Sequence, residues 1–142
     1  MSALREFTQV GARGFYQPQG QVTFEQAIAM VAAGLAHARE LGLADLVINT
    51  LGLTGFAYPS VVERYQMATS VVENAGPRLR VVFVVKREFI DPQKIAKVVA
   101  QNRGLLSEVF ASEAEALAWL DQRSTPPGAT REASGGGTSC DD

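Results

Sequence analysis

The sequence contains few of the side chains that metal and thiol sites need. Its 142 residues include one cysteine, Cys140, and one histidine, His37. A single thiol excludes an intrachain disulfide, and its position in a polar C-terminal segment gives no reason to expect a catalytic role. Because there is no second histidine for a metal site or a proton relay, we interpret His37 as a solvated helix residue.

Long apolar runs are also absent. The longest, from Ala27 to Ala36, is rich in alanine and falls well short of the roughly 20 residues that cross a bilayer. The segment "MSALREFTQV" lacks the apolar stretch that a secretory signal peptide needs. We therefore expect a cytoplasmic protein with no transmembrane segment.

The sequence also has no net charge outside its C-terminal segment. Residues 124–142, "STPPGATREASGGGTSCDD", contain one basic and three acidic residues, which leaves 12 of each in the rest of the chain. A neutral body lacks the electrostatic footprint of a nucleic-acid-binding protein. Because the segment has almost no side chain that could offset the entropy of ordering, we predict one domain, residues 1–123, and a disordered tail, residues 124–142.

The sequence does contain a regular alternation of strand and helix signals. Two short β-prone stretches around Gly11–Gly14 predict an opening hairpin, and "ADLVINT", "LRVVFVVK" and "LLSEVF" predict three further strands. Helices are expected to begin near Thr23, Pro59, Asp91 and Ser112, where capping residues or a first-turn proline precede apolar stripes. Since parallel strands need crossover helices, this order predicts an α/β domain with a mixed, mostly parallel sheet of about five strands and four helices.

Apolar spacing predicts which faces are buried. "LRVVFVVK" has an unbroken apolar centre, which is typical of a strand that is covered on both sides. In the third helix we expect an inward stripe of Ile95, Val98 and Val99. In the second helix the expected inward stripe is Val61 or Val62, Tyr65, Ala68 or Thr69, and Val72.

The order of elements, the helix start "GQVTFEQ", the strand "LVINT" before a loop and helix, the strand "RVVFVV" and the ending "VFASEAEALAWL" together resemble the STAS domain. They are most similar to its SpoIIAA-like, or STAS/SEC14-like, branch over roughly residues 4 to 121. The resemblance implies a small cytoplasmic, non-enzymatic domain that regulates or binds a protein partner. In the anti-sigma-factor antagonists of this family, a kinase phosphorylates a serine at the helix start after the central strand, and phosphorylation abolishes partner binding.

The corresponding stretch here departs from the family's pattern. It reads "FAYPSVV", residues 56–62, and places Tyr58 or Pro59 where the family has its serine. Ser60 is the nearest hydroxyl, and no aspartate precedes it. We therefore expect the phosphoserine switch to be absent and the Ser60 hydroxyl to satisfy an early amide of the helix.

The loop from residue 52 to residue 60 nevertheless contains the candidate site. Free amides in the first turn of a helix can hold an anion, and the loop aromatics either anchor a partner, line a pocket or fold back over the core. Lys86 follows the next strand, at the end of a parallel sheet where ligands usually bind. The predicted contact residues are Thr54, Gly55, Phe56, Tyr58, Ser60 and Lys86.

Two functions remain open on these grounds. The first is a regulatory domain that binds a protein partner through the loop and helix of residues 52–65. The alternative is a small-molecule-binding domain for a nucleotide, phosphate ester or lipid-like ligand, which uses the apolar sheet edge and the amides near Ser60. Because no nucleophile elbow, paired metal ligands or dinucleotide fingerprint is present, we predict no catalytic residue, cofactor or metal.

Overall fold

The computed structural model describes residues 6–76, 78–91 and 94–123. In chain order its elements are strands β1 (Phe7–Val10), β2 (Arg13–Tyr16) and β3 (Gly20–Gln21), helix α1 (Phe24–Glu40), strands β4 (Asp45–Asn49) and β5 (Leu53–Thr54), helix α2 (Val61–Ala75), strand β6 (Arg80–Val84), a 3₁₀ turn (Arg87–Phe89), helix α3 (Ile95–Asn102), strand β7 (Ser107–Phe110) and helix α4 (Glu113–Arg123).

Five strands form the main sheet in the order β1-β2-β4-β6-β7. β1 and β2 are an antiparallel hairpin, and every other pair of neighbours is parallel. The part of the chain that the structure describes therefore confirms the α/β class, with four helices and a mixed, mostly parallel sheet of five strands. The predicted tail, residues 124–142, lies outside the described residues.

A separate two-stranded ladder pairs β3 with β5, which the sequence pattern did not indicate. Its strands have two residues each and are too short to show a period. The backbone N–H of Gly20 donates to the carbonyl of Gly52 at 3.1 Å, and that of Val22 donates to the carbonyl of Thr54 at 2.8 Å. The ladder thus ties the loop after β4 to the segment before α1.

The helices are divided unequally between the two faces of the main sheet. α1, α2 and α3 pack side by side on one face, which we call the three-helix face, and α4 packs alone on the other, the α4 face. β6 is buried from Val81 to Val84, as its apolar centre predicts. The core of the α4 face consists of Val47, Val82, Val84, Ala116 and Leu120.

A cluster of charged side chains closes the N-terminal end of the sheet on the α4 face. Asp45 has a side chain that is 6% exposed and forms salt bridges with Arg13 at 3.1 Å and Arg80 at 2.7 Å. Arg13 also reaches Asp121 of α4 at 3.0 Å. Because both arginines belong to strands beside β4, the buried carboxylate joins three strands, and Arg13 joins them to the helix.

The helix boundaries follow the predicted caps at α1 and α4 but differ at α2 and at α3, which starts at Ile95 with Lys94 as its N-cap. The capping box of Thr23 and Gln26 is formed at the start of α1. α2 starts two residues later than predicted, at Val61, because Ser60 is its N-cap and Pro59 lies outside the helix. Asp91 accepts a hydrogen bond from the Ile95 N–H at 3.0 Å, while the proline that follows Asp91 lies outside the described residues.

The predicted inward stripe of α2 is wrong at its first two positions, whereas Ala68 is buried and Val72 packs half-buried against the core, as predicted. Val61, Val62 and Tyr65 are 46%, 65% and 51% exposed. The residues that the helix buries are Ala68, Val71 and Ala75. The small side chain of alanine lets α2 pack closely against its neighbours. A prediction that uses only apolar spacing instead selects the larger apolar side chains as the buried ones. The apolar side chains of its first turns therefore face solvent.

Two smaller predictions also fail. Val98 of α3 is 50% exposed, whereas Ile95 is buried. His37 is half-buried rather than solvated, because its ring packs edge-on against Phe7 with centroids 4.7 Å apart. Among the described helices we find none with the length and apolar character needed to span a membrane.

Candidate functional site

A cavity of about 150 Å³ lies between the three-helix face of the sheet and helices α1 and α2. It extends to the edge where β4 and β6 end, so that Thr50 and Lys86, which follow those strands, belong to its lining. This is the edge where ligands usually bind in open parallel sheets. Apolar side chains from both helices and from β6 and β7 form most of the wall, including Val31, Ala68, Val71, Phe83 and Val109.

Four aromatic rings, which we call the aromatic cluster, gather at this edge. Phe56 packs edge-on against Phe24 at 5.5 Å and against Phe89 at 5.9 Å, and Tyr58 packs edge-on against Phe89 at 6.1 Å, measured between ring centroids. Such pairs stabilise by about 0.5–1.5 kcal/mol each beyond the area they bury. The cluster joins the start of α1, the loop before α2 and the 3₁₀ turn beside the cavity.

The two predicted aromatics differ in position. Phe56 is half-buried and lines the cavity, so it both folds over the core and forms part of the pocket wall. Tyr58 is 41% exposed and is not part of the lining. Its ring instead lies under the guanidinium of Arg64, at 5.1 Å from the ring centroid.

Thr54 and Gly55 hold the loop in place. Thr54 belongs to β5, and its hydroxyl donates to the carbonyl of Gly20 at 3.5 Å. Gly55 has a φ of +103°, and a Cβ at this position would lie 2.7 Å from the carbonyl oxygen of Val22. Only glycine fits both the backbone conformation and the close approach of β3. Neither residue contacts the cavity directly.

Ser60 forms a complete capping box with Glu63. The Ser60 hydroxyl accepts from the Glu63 N–H at 3.1 Å, and the Glu63 carboxylate accepts from the Ser60 N–H at 2.9 Å. Two of the amides at the start of α2 are thus occupied, and a negative charge already lies beside them. This arrangement disfavours a bound anion at the start of α2.

An ion pair links α2 to the segment before α3 in the wall of the cavity. Arg64 and Asp91 approach to 2.6 Å, and both side chains are 15% exposed. Asp91 also accepts from the Ile95 N–H, and Arg64 donates to the carbonyl of Ser60 at 3.4 Å. The two opposite charges therefore balance each other within the lining.

Lys86 is the third charged residue of the lining. It is half-buried, and its ammonium group lies 5.9 Å from the centroid of the Phe89 ring. In the described part of the chain it forms no salt bridge. With Arg64 and Asp91 paired, Lys86 gives the described part of the cavity wall a net charge of one positive unit.

Ser107 places a polar group in the lining at the start of β7. It is 8% exposed, and its hydroxyl forms no hydrogen bond with another described residue. Sequence reasoning missed this residue, although a lone serine in the apolar run "LLSEVF" is a signal that could have identified it.

The structure therefore brings together two of the six predicted contact residues, Phe56 and Lys86, as parts of one cavity wall. The other four belong to the loop of residues 52–60 but do not line the cavity. No cluster of three or more His, Cys, Asp or Glu side chains suited to a metal ion occurs in the described ranges. Comparison of the sequence with protein-family models and with curated proteins finds no match in either.

Proposed function

We propose that this domain binds a small, largely apolar molecule in the cavity between the main sheet and helices α1 and α2. The observation that carries the proposal is the cavity itself, which lies at the carboxyl ends of parallel strands and has a mostly apolar wall. Ligand sites typically combine such a wall with a few polar groups that orient the ligand. Lys86 and Ser107 are suited to that role.

We further propose that the protein is a non-enzymatic, cytoplasmic domain of SpoIIAA-like type. The order of strands and helices supports this relationship, as do the motifs that resemble the STAS domain. The cavity wall includes the hydroxyls of Thr50 and Ser107 but no histidine, which favours binding over hydroxyl-based catalysis.

Binding can be tested with the full chain by native mass spectrometry of freshly purified protein and by thermal shift across a panel of metabolites and lipids. A bound ligand at about 100 times its Kd stabilises the folded state by about 2.7 kcal/mol, which gives a clear rise in Tm. Ala68→Met places a larger side chain in the cavity wall and is expected to abolish the shift. A well-folded wild type that carries no ligand and shifts with no compound would contradict the proposal.

A second candidate function is supported by the outer face of α2. Tyr58, Val61, Val62 and Tyr65 are all more than 40% exposed. The exposed side chains of its first turns, which also include Ser60, Gln66 and Thr69, carry no charge. Cores of protein interfaces are enriched in tyrosine and depleted in charged residues, so this face is suited to a protein partner.

The partner hypothesis has a matched pair of variants. Val62→Lys places a charge on the outer face of α2, and Val98→Lys places one on an exposed valine of α3. We expect a partner recovered by pull-down with wild type to be lost with Val62→Lys and retained with Val98→Lys and Ala68→Met. Recovery of no partner under several growth conditions, or equal loss with both lysine variants, would count against this function.

A further inference from the structure

We propose that the ligand of the cavity is a small organic acid, with its carboxylate at Lys86 and an apolar body about the size of one aromatic ring or a six-carbon chain. This inference rests on the function proposed above and adds the charge and the size of the ligand. Three observations support it: the charge balance of the wall, the occupation of the start of α2 by the Glu63 carboxylate, and the volume of the cavity.

The charge balance points to an anion. Of the three charged residues in the described part of the lining, Arg64 and Asp91 are paired at 2.6 Å, whereas the ammonium group of Lys86 lies over the Phe89 ring and forms no salt bridge with another described residue. A half-buried ammonium group forms a strong charge-assisted hydrogen bond with a carboxylate. One positive charge also matches a carboxylate better than a phosphate ester, which carries about −1.5 to −2 at neutral pH.

The position of the anion follows from the start of α2. Helix N-termini commonly bind anions, but here the carboxylate of Glu63 accepts from the Ser60 N–H at 2.9 Å and occupies that position. A second negative charge would be repelled there. Lys86 lies beyond the end of β6, next to the aromatic cluster, and so offers the remaining cationic position in the described cavity wall.

The volume limits the apolar body. An apolar cavity of about 150 Å³ accommodates a molecule of the size of benzene, and the volume here is about 150 Å³. A short aliphatic chain and a single aromatic ring both satisfy this limit and share the same chemistry, a compact apolar body with one carboxylate. The buried hydroxyl of Ser107 can hydrogen-bond a polar atom of such a ligand.

The experiment compares acids with their neutral amides. The full chain is titrated calorimetrically with phenylacetate and hexanoate, and with phenylacetamide and hexanamide, which keep the apolar body but remove the charge. Wild type is expected to bind at least one acid about tenfold or more tightly than its amide, as one charge-assisted hydrogen bond allows. The acid that binds more tightly shows whether the body is a ring or a chain.

Two variants assign this preference to Lys86. Lys86→Gln is expected to reduce the ratio of acid to amide affinity to about one, whereas Arg87→Gln, which changes the exposed neighbour outside the cavity wall, should keep it. Phenyl phosphate serves as the probe for a phosphate ester and should bind more weakly than phenylacetate. A preference for acids that survives in Lys86→Gln would overturn the inference, as would tighter binding of phenyl phosphate.

The outcomes separate this inference from the function on which it rests. If the amides bind as tightly as the acids, or if only other compounds of the metabolite and lipid panel shift the Tm, the acid is the wrong ligand while the binding function stands. If no acid, amide or panel compound binds wild type, both proposals fail. Loss of acid binding in Ala68→Met, with the fold intact, would support the cavity as the place of binding.

Discussion

The two faces of the main sheet differ in how closely they are packed. On the α4 face, Val47, Val82, Val84, Ala116 and Leu120 are each 0% exposed, and the buried Asp45 is matched with two arginines. On the three-helix face, a larger set of elements leaves a cavity of about 150 Å³ whose wall includes Ser107, with a hydroxyl that lacks a partner among the described residues. Both faces contain fully buried apolar side chains, but only the three-helix face has space for a ligand, so we assign binding to that face.

The largest expected effect tests the close packing of the α4 face. Val84→Asp places a carboxylate in a fully buried position without a cationic partner, and the cost of burying it should prevent folding. Val62→Asp, on the exposed side of α2, should fold normally. Circular dichroism and chemical denaturation measure both. Soluble Val84→Asp protein that unfolds cooperatively would contradict the close packing of the α4 face.

The next effect concerns the charge cluster of the α4 face. Asp45→Asn removes the charge that Arg13 and Arg80 share and is expected to lower the free energy of unfolding by about 3 kcal/mol, because two partly buried guanidinium groups lose their buried carboxylate and Arg13 keeps the exposed Asp121. Asp121→Asn is the control, since that carboxylate is 68% exposed and should contribute less than about 1 kcal/mol. Equal effects of the two changes in urea denaturation would mean that burial does not distinguish them.

One substitution made on each face gives the most direct comparison. Ala116 and Ala68 are both buried, but only Ala68 lines the cavity. Ala116→Met overfills the packed core and should lower the free energy of unfolding by about 1–3 kcal/mol. Ala68→Met fills existing space and should cost clearly less or raise the stability. If denaturation shows the reverse order, the cavity is not available to a side chain.

Tyr16 supplies a pH-dependent test of the three-helix face. Burial, with a smaller contribution from the Glu6 carboxylate, raises the pKa of Tyr16 above its ordinary value of 10.0. The folded protein therefore holds this proton to higher pH than the unfolded chain. The associated stability is fully present below about pH 10 and is lost as the pH rises through the folded pKa.

Tyr16→Phe isolates this contribution from the other groups that titrate in the same range. The free energy of unfolding should fall more steeply above about pH 10 in wild type than in the variant, because the variant has no phenol to ionise. Parallel pH profiles would show that the hydroxyl is solvated in spite of the 4% exposure of the residue.

The smallest expected effect is that of Ser107→Ala. Removing this hydroxyl should change the free energy of unfolding by no more than about 1 kcal/mol, because it forms no hydrogen bond with another described residue that the change could break. Ligand affinity should decrease if the hydroxyl contacts the ligand. A marked loss of stability would show that the hydroxyl is satisfied in the unliganded protein.

Local features of the fold could be predicted because they depend on residues close together in the chain. Thr23 and Gln26 form their capping box across three residues, and the opening hairpin joins neighbouring strands. The apolar centre of β6 indicated burial on both faces. Phe56 and Lys86 were predicted as contact residues since strand ends and loop aromatics are themselves local signals.

By itself, then, the sequence determined the order of the elements, most of their caps, and the edge of the sheet where a site would lie. Only the tertiary structure decided which stripe of α2 is buried, because that choice depends on helix packing and on contacts such as the pair of Arg64 with Asp91, 27 residues apart. It also decided the position of Ser107 in the cavity wall and the existence of the cavity itself. A cavity is the volume that remains between packed elements, here from Phe24 to Val109, and no local pattern of residues specifies that volume.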